Sequence, residues 1–117
     1  MISFKDVQAY LDAIAAKNGA IDDSPHGAFW QTDYNTFTTG TVPNVGVPIM
    51  NAAVPLQSPF FVILTDPAGF QGIPQMPGGG PFITDAGYQV VLANGKTITG
   101  ADIIANLKSW LGSGFPQ

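Results

Sequence analysis

A small, mainly α domain with long glycine- and proline-rich loops and one inserted β-hairpin (88–99) is the fold class this sequence predicts; the alternative is a small α+β domain. Three observations lead there. Apolar residues recur at helical spacing near both ends of the chain, and an Asn-Gly pair between two β-prone runs marks a hairpin. Most of the ten prolines and fourteen glycines lie between the two helical stretches, which leaves the middle for turns and short pieces. At 117 residues the chain reads as one domain, 1–117. Such a chain buries about two-thirds of the surface it exposes when unfolded, enough for a single core.

Taken in order, the elements have separate justifications. Phe4, Val7, Leu11 and Ile14 form one apolar stripe and predict a helix over 4–18. Ser3 with Asp6 three residues on makes a capping box, and Gly19 supplies a left-handed stop. The segments 33–39 and 59–64 are ambiguous. Asp33 and Gly40 would bound a helix that the threonines oppose, and Ser58-Pro59 would open one in a run otherwise rich in β-formers. Residues 88–92 and 97–99 read as the strands of a hairpin. Asn94-Gly95 would form a two-residue type I′ turn, with positive φ at both positions. Ile103, Leu107, Trp110 and Leu111 share one face, widened by Ile104. Thr99 and Asp102 cap that final helix, and Gly112 and Gly114 end it.

Composition excludes several classes. Charged residues are 10% of the chain, against about 25% in an average domain. Every acid is Asp and every base is Lys, with a net charge of −4. A nucleic-acid surface needs clustered Lys and Arg, so that partner is excluded. The absence of cysteine excludes disulfides, thiolate metal sites and a Cys nucleophile. With 45% hydrophobic and 11% aromatic residues, the chain has enough apolar surface to offset its entropy. The longest apolar run, Phe60 to Leu64, falls far short of the roughly 20 residues that span a bilayer. No basic start followed by an apolar stretch marks a signal peptide, so the expectation is a soluble protein without membrane contact, its compartment unassigned.

Few residues offer chemistry. His26 is the single histidine and lies beside Asp22 and Asp23. A carboxylate–imidazole metal site is one reading, and a local hydrogen bond that fixes a Pro/Gly turn is the other. Ser24 or Ser58 with His26 and an Asp would supply a triad by residue type, yet no Gly-x-Ser-x-Gly elbow accompanies them. Asp6 and Asp102 are explained as helix-start residues, and Asp33, Asp66 and Asp85 stand at turns or caps. Gly78-Gly79-Gly80 lacks the Lys-Ser/Thr of a phosphate loop. Three glycines between Pro77 and Pro81 are expected to let the backbone pass close to something bulky.

The order of motifs adds a likeness. His26-Gly27-Ala28-Phe29-Trp30 is followed by Tyr34 and Phe37 before Gly40, then by Val42-Pro43, Pro48-Ile49 and Ser58-Pro59. Met76-Pro77-Gly78-Gly79-Gly80-Pro81, Thr84-Asp85 and Trp110-Leu111 with Gly114-Phe115-Pro116 complete the series. Over residues 26–117 this resembles small bacterial c-type cytochrome-like domains, where a Met-Pro-Gly-rich loop precedes a last helix ending in a Trp-Ile-x-x-Gly-x-Pro pattern. The resemblance implies contact between the first and last helices, and it tips 33–39 and 59–64 towards short helices. It also implies that Met76 occupies the place of the axial thioether ligand, with His26 as the other candidate. Two departures stand out. The Cys-x-x-Cys-His attachment motif is missing, which rules out covalent haem, and the hairpin is inserted before the last helix.

Three functions follow as expectations. The first is a non-enzymatic accessory or interaction domain, cofactor-free, whose aromatic side chains fill the space of the prosthetic group and whose partner is another protein or a second copy. The second is a redox protein holding noncovalent haem or copper through Met76 and His26. The third is a carbohydrate or small-ligand binder in which Trp30 and Tyr34, beside Asp33, form an aromatic platform.

Overall fold

Helix α1 (Phe4–Asn18) begins where its sequence can satisfy its own first turn. The Ser3 hydroxyl accepts from the Asp6 N–H at 3.4 Å, and the Asp6 carboxylate accepts from the Ser3 N–H at 2.8 Å. Gly19 closes the helix at φ 82°, donating its N–H to the Ala15 carbonyl. The stripe read from sequence is buried, joined by Tyr10 and Ala13. These features come from a computed structural model that describes residues 2–21, 24 and 26–117.

Both ambiguous segments are helices. In α2 (Tyr34–Thr39) the Asp33 carboxylate accepts from the Thr36 N–H at 2.6 Å. The threonines that argued for extended chain instead turn their hydroxyls back, Thr38 to the Tyr34 carbonyl and Thr39 to the Asn35 carbonyl. Helix α3 (Pro59–Thr65) starts on proline, whose missing N–H costs nothing in a first turn. Ser58 precedes it without acting as a side-chain cap; its hydroxyl accepts from the Asn51 N–H at 3.0 Å. A single 3-10 turn, Pro55–Gln57, lies just before it.

The hairpin pairs β1 (Gln89–Val91) with β2 (Thr97–Thr99), Val90 opposite Ile98. Its turn corrects the sequence reading. The Leu92 carbonyl accepts from Gly95, and the Leu92 N–H donates to the Lys96 carbonyl, so the loop has three residues, Ala93-Asn94-Gly95. Only Gly95 has positive φ, at 85°. Asn94 uses its side chain instead, accepting from the Lys96 N–H. Helix α4 (Gly100–Gly112) follows directly; Thr99 caps it through the Asp102 N–H. Gly112 belongs to the helix, and Gly114, at φ 87°, makes the left-handed exit.

Four helices and one two-stranded antiparallel sheet, among the described residues, make a mixed α+β fold that is mostly helix. Helix α1 packs on β1 and α4 on β2, and the first and last helices meet where Asn106 donates to the Tyr10 hydroxyl at 2.9 Å. The core is organised by rings. Tyr34, Phe4, Phe37 and Phe60 follow one another at centroid distances of 5.6, 5.2 and 5.2 Å, joining α1, α2 and α3. After α4 the tail folds back, and its Phe115 carbonyl accepts from Tyr34 while its Pro116 carbonyl accepts from the Trp110 indole. The radius of gyration is 13.1 Å, close to the ~13 Å of a compact chain of this length. Among the described residues no helix is long and apolar enough to cross a membrane.

Candidate functional site

The residues singled out from sequence are dispersed into structural duties. His26 is half-buried; its Nδ1 stands 2.6 Å from the Gly27 carbonyl, and its ring meets Phe29 edge-on at 5.4 Å. Asp22 and Asp23, the partners of its metal-site reading, lie outside the described residues. Met76 is half-buried against the core, and its backbone N–H donates to the Ile63 carbonyl at 2.9 Å. No hydrogen bond joins His26 to Met76 among the described residues. Ser24 and Ser58 stay apart from His26 in the same sense, Ser58 being fully buried beneath the 51–58 loop.

The residues of the aromatic platform likewise have partners within the fold. Trp30 is 5% exposed, so its faces belong to the core, and its indole N–H donates to the Asp12 carboxylate at 2.7 Å. Tyr34 leans on Phe4 and donates to the Phe115 carbonyl. Asp33 is an exposed helix cap whose carboxyl is held below its ordinary range by the hydrogen bonds from Thr36. Asp12, not singled out from sequence, is the hub of this corner, accepting from Gln31 as well. One turn earlier Gln8 donates to the Trp30 and Thr32 carbonyls. Two polar residues four apart on one face of α1 were the available signal.

In the glycine-rich loop a bulky neighbour stands beside Gly80, where a Cβ would lie 3.4 Å from the Phe82 ring. A Cβ at Gly78 or Gly79 would meet nothing within 4 Å, so no bulky neighbour demands glycine there. Gly79 and Gly80 instead take φ 79° and 71°. The Asn18 amide, at the end of α1, donates to the Gly80 carbonyl at 2.8 Å and to that of Gly78 at 3.3 Å, clasping the loop to the first helix.

Two further features were not legible as a site. An open groove of about 490 Å³ runs between α1, the hairpin turn and α4, past Asp6, Tyr10, Lys96 and Asn106. None of the candidate ligand residues read from sequence, His26, Trp30, Asp33, Tyr34 and Met76, lines it. The 51–58 loop is stapled to itself. The Asn51 N–H reaches the Ser58 hydroxyl, the Asn51 side chain accepts from the Val54 N–H, and the Val54 carbonyl accepts from the Gln57 N–H. The 3-10 turn within it rests on α3 and α4. That rigid frame holds Val54 and Leu56 outward, 50% and 46% exposed.

Compared with family models, curated proteins and solved structures, the chain matches none.

Proposed function

We propose that this protein is a non-enzymatic interaction domain, cofactor-free, whose docking element is the 51–58 loop. One observation carries the reading: a loop locked by its own hydrogen bonds and seated on two helices presents two aliphatic side chains to water. An apolar anchor ordered in advance loses little entropy when a partner covers it. Sparse charge suits the same role, because interface centres are depleted of it.

The interior supports the cofactor-free part. Phe37 is fully buried between Phe4 and Phe60, and Trp110 is fully buried beneath Phe115 and the tail. The residues that the likeness to cytochrome-like domains offers to a haem fit it poorly. His26 has one ring nitrogen against a carbonyl, and neither it nor Met76 is a fully buried member of the core. On this reading the protein is a cofactor-free relative of those domains.

The test uses the full chain and its Val54→Asp/Leu56→Asp variant as baits for cross-linking in an extract of the native cell. Exposed positions tolerate such changes within about 0.5 kcal/mol, so matched melting curves are expected. A discrete cross-linked protein that the variant loses supports the reading; equal capture by both overturns it. Titration with haem and with Cu(I), followed by absorbance, addresses the cofactor. Tight binding that Met76→Ala abolishes would replace this reading with a redox protein.

A further inference from the structure

We propose that strand β1 is a dimerisation edge, which pairs antiparallel with the β1 of a second copy of this chain. The phase of the hairpin ladder sets up the argument. The Tyr88 carbonyl accepts from the Gly100 N–H, and the Leu92 N–H donates to the Lys96 carbonyl. With Val90 opposite Ile98, residues 88, 90 and 92 therefore face β2. Gln89 and Val91 turn their N–H and C=O groups to the opposite edge. None of these four groups has a hydrogen-bond partner among the described residues.

This edge is not blunted. Proteins guard such edges with lysine, proline or bulges, yet residues 88–92 are Tyr-Gln-Val-Val-Leu, without charge or proline. Val91 is 64% exposed, more than any other large hydrophobic among the described residues.

The edge is complementary to itself. A two-fold axis at Val90 sets Gln89 opposite Val91 of the second copy and Val91 opposite its Gln89. Each pair then exchanges two N–H···O=C bonds, and all four orphan groups of each copy are used. Charge selects the direction. Antiparallel pairing brings the Asp85 end of β1 to the end of the second copy's β1 that turns into Lys96, and both residues are exposed. Parallel pairing would instead set Asp85 beside the Asp85 of the second copy, like charge against like. Two hairpins, each marginal as a two-stranded sheet, would become one four-stranded sheet. The inference goes beyond the docking-loop reading and uses different residues, so either can fail alone.

The test combines sedimentation equilibrium of the purified full chain with amide exchange by NMR, each across a concentration series. The expected result is a reversible dimer whose population rises with concentration. Exchange at the Gln89 and Val91 amides should slow with concentration while that of Val90 stays constant. Val91→Pro removes only the outward donor, where a strand tolerates proline, and should weaken the dimer at least about tenfold. If that variant fails to fold, Val91→Lys takes its place with the same expectation. Val54→Asp/Leu56→Asp should leave dimerisation intact. A monomer at every concentration overturns the proposal, and so does a dimer indifferent to the Val91 changes. Amide protection that appears only with a foreign extended peptide also overturns it.

Discussion

Tyr88 shows how a single atom can carry a cost that the rest of the residue offsets in part. Its side chain is 5% exposed, and its hydroxyl is buried without a hydrogen-bond partner among the described residues. Burial first, and then the nearby Asp85 carboxylate, push its ionisation up to about 12 from an ordinary 10.0. The ring recovers part of the loss by packing in the core and by receiving the Lys17 ammonium at 5.3 Å. Tyr88→Phe removes the orphan and keeps the ring, so it should leave stability unchanged or raise it by about 1 kcal/mol. Urea titration of both proteins checks this. The pH dependence has a definite sign. Above pH 10 the unfolded chain sheds the phenolic proton that the folded chain keeps, so stability falls between about 10 and 12. The Phe variant should show a flatter alkaline limb. Asp12 gives the opposite case, because its carboxylate satisfies the buried Trp30 indole. Asp12→Ala strands that donor and should cost about 1–3 kcal/mol, read from urea midpoints. An unchanged midpoint would show that the indole bond contributes nothing.

At the level of elements, backbone contacts decide what glycine does. Gly100 opens α4, and a Cβ there would stand 2.0 Å from the Ile83 carbonyl oxygen. Gly112, in the last turn of the same helix, would meet nothing within 4 Å. Propensity alone favours alanine at both. The packing reverses the sign at one. Gly100→Ala should destabilise by about 1–3 kcal/mol through overpacking, while Gly112→Ala should stabilise by up to about 1 kcal/mol; thermal melts of the two variants make the comparison. Elements of this kind were largely legible. Ser3 with Asp6 and Thr99 with Asp102 marked helix starts because capping is local chemistry, readable over three residues. Asp33–Thr39 was not settled by propensity, because the threonine hydroxyls found partners inside the helix that no propensity scale counts. The hairpin turn was misread for a related reason. Asn94-Gly95 fits two loop lengths, and the choice rests on which Leu92 bonds form.

Across the whole molecule legibility fades, since which surfaces remain uncovered depends on how segments distant in sequence pack. Trp30 reads from sequence more readily as a core residue than as a platform, and the Gln8–Asp12 face of α1, folded over it, is what covers it. The closure of the 51–58 loop by Asn51 and Ser58 turns Val54 and Leu56 outward, an exposure that neither residue type signals. The interior itself follows from aromatic count, but its connectivity does not. Phe37 sits on the short helix α2 yet touches Phe4 of α1 and Phe60 of α3, so three segments distant in sequence share one contact. Phe37→Ala should therefore cost about 3–5 kcal/mol, a large part of the roughly 5–15 kcal/mol that holds a domain together. The loss should be global. Near-ultraviolet circular dichroism and tryptophan fluorescence are expected to shift to the same lower midpoint in one transition. Separate midpoints, with α4 and the Trp110 corner surviving the loss of α2, would show that the ring series is a local cluster and that the core has two halves.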